Sequence, residues 1–402
     1  MRPNPSTPGM HAIPPRRIDL DWLRIIAFGL LIFYHVGCFY FAWPWHANSK
    51  YASWSIAPLL QLTTPWRLLL LFVISGVATR FMIDKMSTGD FLASRSTRLL
   101  IPLAFGMLVI VPPQTYVFLI EQAGYRHSFS SFYVPAITGT GNWVVDGYHV
   151  LTPEWAHLWF LPYLFAFTLL TLAIGPWLKS RPASAFTWFT RGPWIFVAPV
   201  AFIAAANALI GPISVDRHVF IGDWRNVLVF GSAMVLGYSL AKHEPFFVAA
   251  ERHRYIALAI AVGAYCTIQI LWAFGKYEHM GYRYYLLFAL LKPMQGWAVV
   301  LAAFGFARRY LRRDGPVRRY LTHAIFPYYI IHQTTIVVAG HWLTGMNLPA
   351  HIEATSLIII TIASCVIGYE IVRRVWLLRP LFGLKLEPAA LKEPKNSAAR
   401  PI

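Results

Sequence analysis

One stretch near the start, Ile18 to Phe41, constrains this chain most, because it is long and apolar enough to cross a membrane yet carries ionisable side chains. Read as a helix, it sets Arg24 and His35 eleven residues apart, close to whole turns at about 100° per residue. Both then project from one face, about 16 Å apart along the axis. Asp21 stands one turn before Arg24, where it can pair with it. A charge at mid-bilayer costs about 2.5 kcal/mol or more, so such residues face protein or water and usually serve function. A neutral histidine is cheaper to place there and is often structural. An arginine and a histidine on one face argue for a site.

The rest of the chain repeats that apolar character. With 57% of residues hydrophobic and 13% charged, it reads as an all-α, polytopic membrane protein rather than a set of soluble domains. We read ten spans, at 18–41, 57–82, 98–120, 156–178, 193–212, 224–241, 255–274, 284–306, 323–344 and 354–378. Lys and Arg number 35 against 17 Asp and Glu, but the excess sits in short loops, which points to a lipid bilayer and not to nucleic acid. The cations also alternate between loops. Arg16, Arg17, Arg80, Lys85, Lys179, Arg181, Lys242 and the run from Arg308 to Arg319 fall on one side, and sparse ones such as Lys50, Arg126 and Arg225 on the other. Both termini are therefore expected in the cytoplasm, with Arg24 in the cytoplasmic half of the first span and His35 in the outer half. Residues 1–16 read as a disordered Pro-rich tail, 17–378 as the transmembrane domain and 379–402 as a basic cytoplasmic tail. Arg16-Arg17 ahead of an apolar run looks like a secretory signal. Charges interrupt the region and no small-residue cleavage site follows, so an uncleaved first helix is expected.

Several later residues are candidates for a site. Arg67 lies in the outer part of the second span, where a cation needs a polar partner or snorkels to the surface. Ser75-Gly76 leaves no bulk on that span, for a ligand or for a neighbouring helix. Glu154 and His157, at the outer start of the fourth span, are either a carboxylate orienting an imidazole or two interfacial polar residues. Trp159 belongs with Trp43, Trp45, Trp54, Trp143 and Trp155, which mark the membrane interface or stack on a sugar. Tyr328 and His332 share a face of the ninth span as a hydrogen-bonded pair. Lys292-Pro293 sets a lysine beside a proline kink, a hint of a cavity wall. The basic run before the ninth span reads as an orientation signal or a surface for anionic lipid or a phosphorylated substrate. The outer segment from Glu121 to Trp155 is long enough to act as a lid.

Cys38, three residues after His35, raises a Cys–His nucleophile, although cysteine is a common apolar filler. Cys266 and Cys365 also lie in apolar spans, and no zinc signature is present. The chain has no G-x-S-x-G, H-E-x-x-H or Walker A run, which removes the usual serine hydrolases, zincins and P-loop ATPases. No metal or redox cofactor is implied.

Five short motifs follow in order: LDWLR with the Arg24-x10-His35 spacing, FVISG at 72–76, F-x3-R-x2-R-L from Phe91 to Leu99, HLWFLPY at 157–163, and YYIIHQ at 328–333. In these the chain resembles the acyltransferase family 3 membrane proteins, and within them the glucan biosynthesis branch, from Arg17 to Trp376. The resemblance implies transfer of an acyl group, acetyl or succinyl, from cytoplasmic acyl-CoA to a hydroxyl of an extracytoplasmic glycan or other acceptor. It also implies a bacterial inner membrane and no bound cofactor. Arg24 and His35 match the family's Arg-x10-His pair, Ser75-Gly76 its serine-glycine motif, and Arg95 and Arg98 its basic loop. The tryptophan motif that ends in glutamate in the O-antigen-modifying members is here His157-Leu158-Trp159-Phe160-Leu161, so no glutamate role carries over. No soluble hydrolase-like domain is expected after the tenth span, which leaves acceptor handling to the membrane domain, a homo-oligomer or a periplasmic partner.

Residue chemistry and resemblance combine into one expectation. His35 acts as general base, with a covalent acyl-histidine as the alternative. Arg24, held by Asp21, binds the donor phosphates together with Arg95 and Arg98, and Ser75-Gly76 lies on the donor side. Arg67 stabilises the oxyanion. Glu154, His157, Trp159, Tyr328 and His332 stand on the acceptor side. The rival reading is a secondary transporter with Arg24, His35 and Lys292 as a proton or anion path, against which the lack of an internal repeat speaks.

Overall fold

The structure, a computed structural model, describes residues 17–182, 186–215, 219–274 and 281–386; the expected tail 1–16 and residues 387–402 of the C-terminal tail lie outside them. Helix α1 (Ile18–Phe39) is followed by α2 (Ala57–Thr63) and α3 (Arg67–Ile83). Next come α4 (Thr88–Phe105) and α5 (Pro112–Ala123), joined by a π-helical turn at Gly106–Ile110. A short helix α6 (Phe129–Thr138) and a hairpin of β1 (Val144–Val145) and β2 (Tyr148–His149) precede α7 (Phe160–Ser180). The remaining helices are α8 (Trp194–Leu209), α9 (Trp224–Leu240), α10 (Glu244–Phe274), α11 (Tyr282–Tyr310), α12 (Pro316–Gly345) and α13 (Ala350–Arg374).

Among the described residues, seven helical segments are long and apolar enough to cross a membrane. They correspond to the expected first, second, third, fourth, seventh, eighth and tenth spans, the third beginning at Thr88 rather than at 98. The other three expected spans fall on α8 and α9, of 16 and 17 residues, and on α12, whose apolar run is broken by threonines, glutamine and histidines. By length and composition, seven of the ten expected spans are matched.

Lipid tails are as apolar as leucine, so helices in a bilayer are held by close backbone approach rather than by a hydrophobic drive. The contact of α3 with α9 shows this most directly. A Cβ on Gly76 would lie 2.0 Å from the Met234 carbonyl oxygen, and one on Gly237 would lie 2.0 Å from that of Val73. The two glycines answer one another across the pair. Gly76 thus serves helix packing, one of the two readings its sequence allowed. Gly76→Ala must push α9 away, and overpacking of this kind costs about 1–3 kcal/mol. Thermal unfolding in mild detergent is expected to show a clear loss of stability, whereas Gly89→Ala, whose Cβ would meet open space, should be silent.

Aromatic side chains fill the middle of the bundle. Phe72 packs on Phe160, Phe167 and Phe230 at centroid distances of 4.7, 5.4 and 5.0 Å, and Phe28 of α1 meets Phe160 and Tyr329. The segment expected as a lid has a small core of its own, in which Phe132 and Val145 close on Leu119. The step from α4 to α5 is anchored on α12. In the π-helical turn a backbone carbonyl loses its usual partner, and the Thr334 hydroxyl of α12 donates to the Ile110 carbonyl at 2.8 Å. That contact holds the start of α5, and Gln114 with it, against α12.

Asp84, just beyond α3, ties together the ends of three helices. It accepts from Arg80 at 3.0 Å, Lys179 at 2.5 Å and Lys242 at 2.6 Å. The hydrogen bonds from Lys179, Lys242 and Arg80 hold its carboxyl well below the usual range, outweighing partial burial. A carboxylate with a depressed folded-state value stabilises above its unfolded value, near pH 4, and loses that contribution as pH falls through its folded value. Asp84→Asn is therefore expected to lower the unfolding temperature at pH 7 and to lose its effect in strong acid, a convergence that melting curves from pH 7 to pH 2 would check.

Candidate active site

The two ionisable residues of α1 do share a face, and that face lies against α12. The Arg24 Nη2 reaches the Thr322 carbonyl at 3.4 Å, and the His35 Nδ1 meets the His332 Nε2 at 2.8 Å. Thr322 and His332 are ten residues apart on α12, about 15 Å of helix, so the two contacts sit at matching heights. One face of α1 thus carries a guanidinium and an imidazole at opposite ends of a single helix–helix seam.

The hydrogen bonds fix which nitrogen of each ring carries a proton. The His332 Nδ1 lies 2.7 Å from the Tyr329 carbonyl and 3.2 Å from that of Tyr328, which can only accept, so Nδ1 is the donor. In a neutral ring Nε2 is then an acceptor, and it must receive the proton of the His35 Nδ1. The His35 Nε2 is left with its lone pair. His332 is fully buried while His35 is half-buried, so the ring with the open nitrogen is the one that keeps access.

A second set of buried polar groups supports the first. The His157 ring crosses that of His332 edge-on at 5.4 Å. Its Nε2 donates to the Ile330 carbonyl at 3.1 Å, so its Nδ1 accepts from the Gln114 amide at 3.3 Å. Gln114 also donates to the Thr334 hydroxyl at 2.6 Å and accepts from the Gln333 amide at 3.0 Å. The Tyr329 hydroxyl donates to the His157 carbonyl at 2.7 Å. Trp45, from the loop after α1, lies parallel to His35 at 6.2 Å and covers it from one side. Arg67 does not reach the surface: it is 3% exposed, with its guanidinium 4.0 Å over the Tyr34 ring and its Nη1 donating to the Thr63 hydroxyl at 2.9 Å.

At the other end of the seam, cations converge. Arg24 lies within charge-interaction range of Arg95 and Arg98. The buried Arg95 donates to the Thr79 hydroxyl of α3 at 2.9 Å, while Arg98 is exposed. Ser75 stands one turn before Thr79 on the same face of α3 and is half-buried. Like charges gathered in this way repel one another. An anion between them would relieve that repulsion.

Some expected partners differ. Arg318, 2% exposed, holds Asp21 at 2.5 Å and Asp314 at 2.8 Å, so Asp21 has a partner across on α12 that its place on α1 does not suggest. Glu154 accepts from the Thr115 hydroxyl at 2.6 Å and does not orient His157, whose partners are Gln114 and Ile330. Tyr328 turns its ring to Tyr369 of α13, and only its backbone carbonyl meets His332. Trp159 packs on Tyr163 and Phe230. Lys292 is exposed beside Phe288, and α11 continues through Pro293. Cys38 is buried next to Tyr34 rather than poised on His35. Gln114 and Gln333 were missed as site residues. Polar amides inside apolar spans were the available signal.

Known proteins match the sequence over almost the whole chain. Residues 17–370 match the acyltransferase domain that defines acyltransferase family 3. Glucans biosynthesis protein C of Salmonella typhi and that of Salmonella typhimurium are each 24% identical over 394 residues, covering 94% of this chain and 97% of theirs. The protein of that name from Salmonella heidelberg is similar to the same extent. No solved structure matches significantly. A domain match of that length, carried on a polytopic helical bundle, makes the chain a member of the acyltransferase family 3 of membrane proteins.

Proposed function

We propose that this membrane acyltransferase moves an acyl group from acyl-CoA to a hydroxyl of an extracytoplasmic glycan or similar acceptor. The observation that carries the reading is the relay from the Tyr329 carbonyl through His332 to His35, which leaves the His35 Nε2 as an acceptor. Nε2 takes the proton of the acceptor hydroxyl as its oxygen attacks the thioester carbonyl. The tetrahedral intermediate carries a negative oxygen, and the buried Arg67 cation, held over the ring of Tyr34, the residue before His35, is assigned to stabilise it. Collapse breaks the carbon–sulfur bond, and the CoA sulfur leaves with the proton held on Nε2. His332 keeps His35 in the required tautomer, a positioning role.

The donor enters from the end of Arg24, Arg95 and Arg98, whose charges match its phosphates. Its extended pantetheine arm follows the seam of α1 and α12 past Ser75, about 16 Å from Arg24 to His35. With positive loops on that side, the donor is cytoplasmic and the acceptor external, in a bacterial inner membrane. Purified protein in nanodiscs, given acetyl-CoA or succinyl-CoA and crude periplasmic glycan, should release free CoA only when both donor and acceptor are present. Folded protein that releases none with any pair would sink the reading and return transport to the front.

A further inference from the structure

On a face that none of the site histidines lines, α8 packs mainly on α11 and only lightly on α9, which leaves a gap beside α7 and α9. The gap is a groove enclosing about 730 Å³. Its walls include Trp177, Phe202, Ile203, Leu236 and Trp297, and its floor is made of small residues, Ala198, Gly231, Ser232 and Ala233. No residue of the histidine site or of the Arg24 cluster lines it. Along α9 it runs from Val227 to Ser239, about 18 Å of helix.

The two ends of this groove differ. One end, at the last turn of α7, holds Arg181, an exposed side chain whose guanidinium lies 4.3 Å over the Trp177 ring. Trp177 and Trp188, 57% and 53% exposed, stand on either side of that mouth. A tryptophan pair with a cation marks the level of lipid headgroups, where an aromatic ring sits half in the apolar layer. The rest of the groove is apolar. An occupant must therefore combine an apolar chain of bilayer-leaflet length with a negative group at one end.

We propose that this groove is a binding site for one anionic phospholipid, with an acyl chain lying along α9 and its phosphate on Arg181. The small floor residues leave room for the chain, and Arg181, held over Trp177, selects the headgroup by charge. The site is separate from the proposed chemistry and does not depend on it.

The test uses the full chain, delipidated in mild detergent and titrated with phosphatidylglycerol or phosphatidylcholine of identical acyl chains, read by native mass spectrometry. One phosphatidylglycerol is expected to stay bound at concentrations where phosphatidylcholine does not. Arg181→Gln should weaken phosphatidylglycerol about fivefold, as one interfacial cation does, and leave phosphatidylcholine unchanged. Ser232→Trp fills the floor and should reduce binding of both lipids at least about tenfold, the effect of losing a buried apolar chain segment. Ala198→Leu, on the facing helix, serves the same purpose if Ser232→Trp does not fold. Equal binding of the two lipids by the wild type, or binding unchanged in the filled variants, would overturn the proposal.

Discussion

Replacing His35 by alanine is expected to lower acyl transfer by on the order of 10²–10⁴-fold, the contribution of a positioned general base, while donor binding stays close to that of the wild type. The separation follows from geometry. His35 lies at one end of the α1–α12 seam and the arginine cluster at the other, so removing the imidazole leaves the phosphate end untouched. Acceptor-dependent CoA release should therefore fall in kcat with little change in the KM for acyl-CoA. His332→Phe tests the relay behind it. Without an acceptor for its Nδ1 proton, His35 is free to take the other tautomer, and kcat should fall at least about tenfold with donor KM held. His332→Gln, whose side-chain oxygen can accept that proton, should recover part of the loss. Unchanged kcat in His35→Ala would remove the base from the mechanism but leave the family membership intact.

Much of this site could be read from the residues, and the failures have local causes. Arg24 and His35 were found together because both lie on one unbroken helix, where spacing alone decides the face. Glu154 and His157 have a helical spacing but no shared helix. The chain turns between them at Ala156, which has a φ of 38°, and the 3-10 turn that carries His157 begins at Ala156, so Glu154 lies outside it. Tyr328 and His332 do share a turn, but a histidine at that position finds the backbone carbonyls of its own helix before it finds a phenol. For Asp21 the sequence shows neighbours along α1 but not Arg318 across from it. The proline that opens α12 sets Arg318 two residues later, opposite Asp21. His35 and His332, 297 positions apart, meet only through the packing of α1 on α12, which no local pattern encodes.

The arginine end makes the second large prediction. Arg24→Gln and Arg95→Gln are each expected to raise the KM for acyl-CoA by about ten- to a hundredfold, since a charge-assisted hydrogen bond to phosphate contributes about 1.5–3 kcal/mol. The value of kcat at saturating donor should change little, because neither guanidinium reaches the reacting carbon. Arg98 is exposed, so its charge is screened and Arg98→Gln should cost less and fade as salt is added. Arg24 and Arg95 would share one ligand, so the double variant should lose less than the product of the single losses. A dephospho-CoA thioester, lacking the ribose phosphate, shows which arginine meets which phosphate. The variant whose KM no longer differs from wild type with that donor is the one that had held the missing group. If all the arginine variants kept a wild-type KM, the gathered cations would have to be serving the helix ends and not the donor, and the entry route along α1 would fall with them.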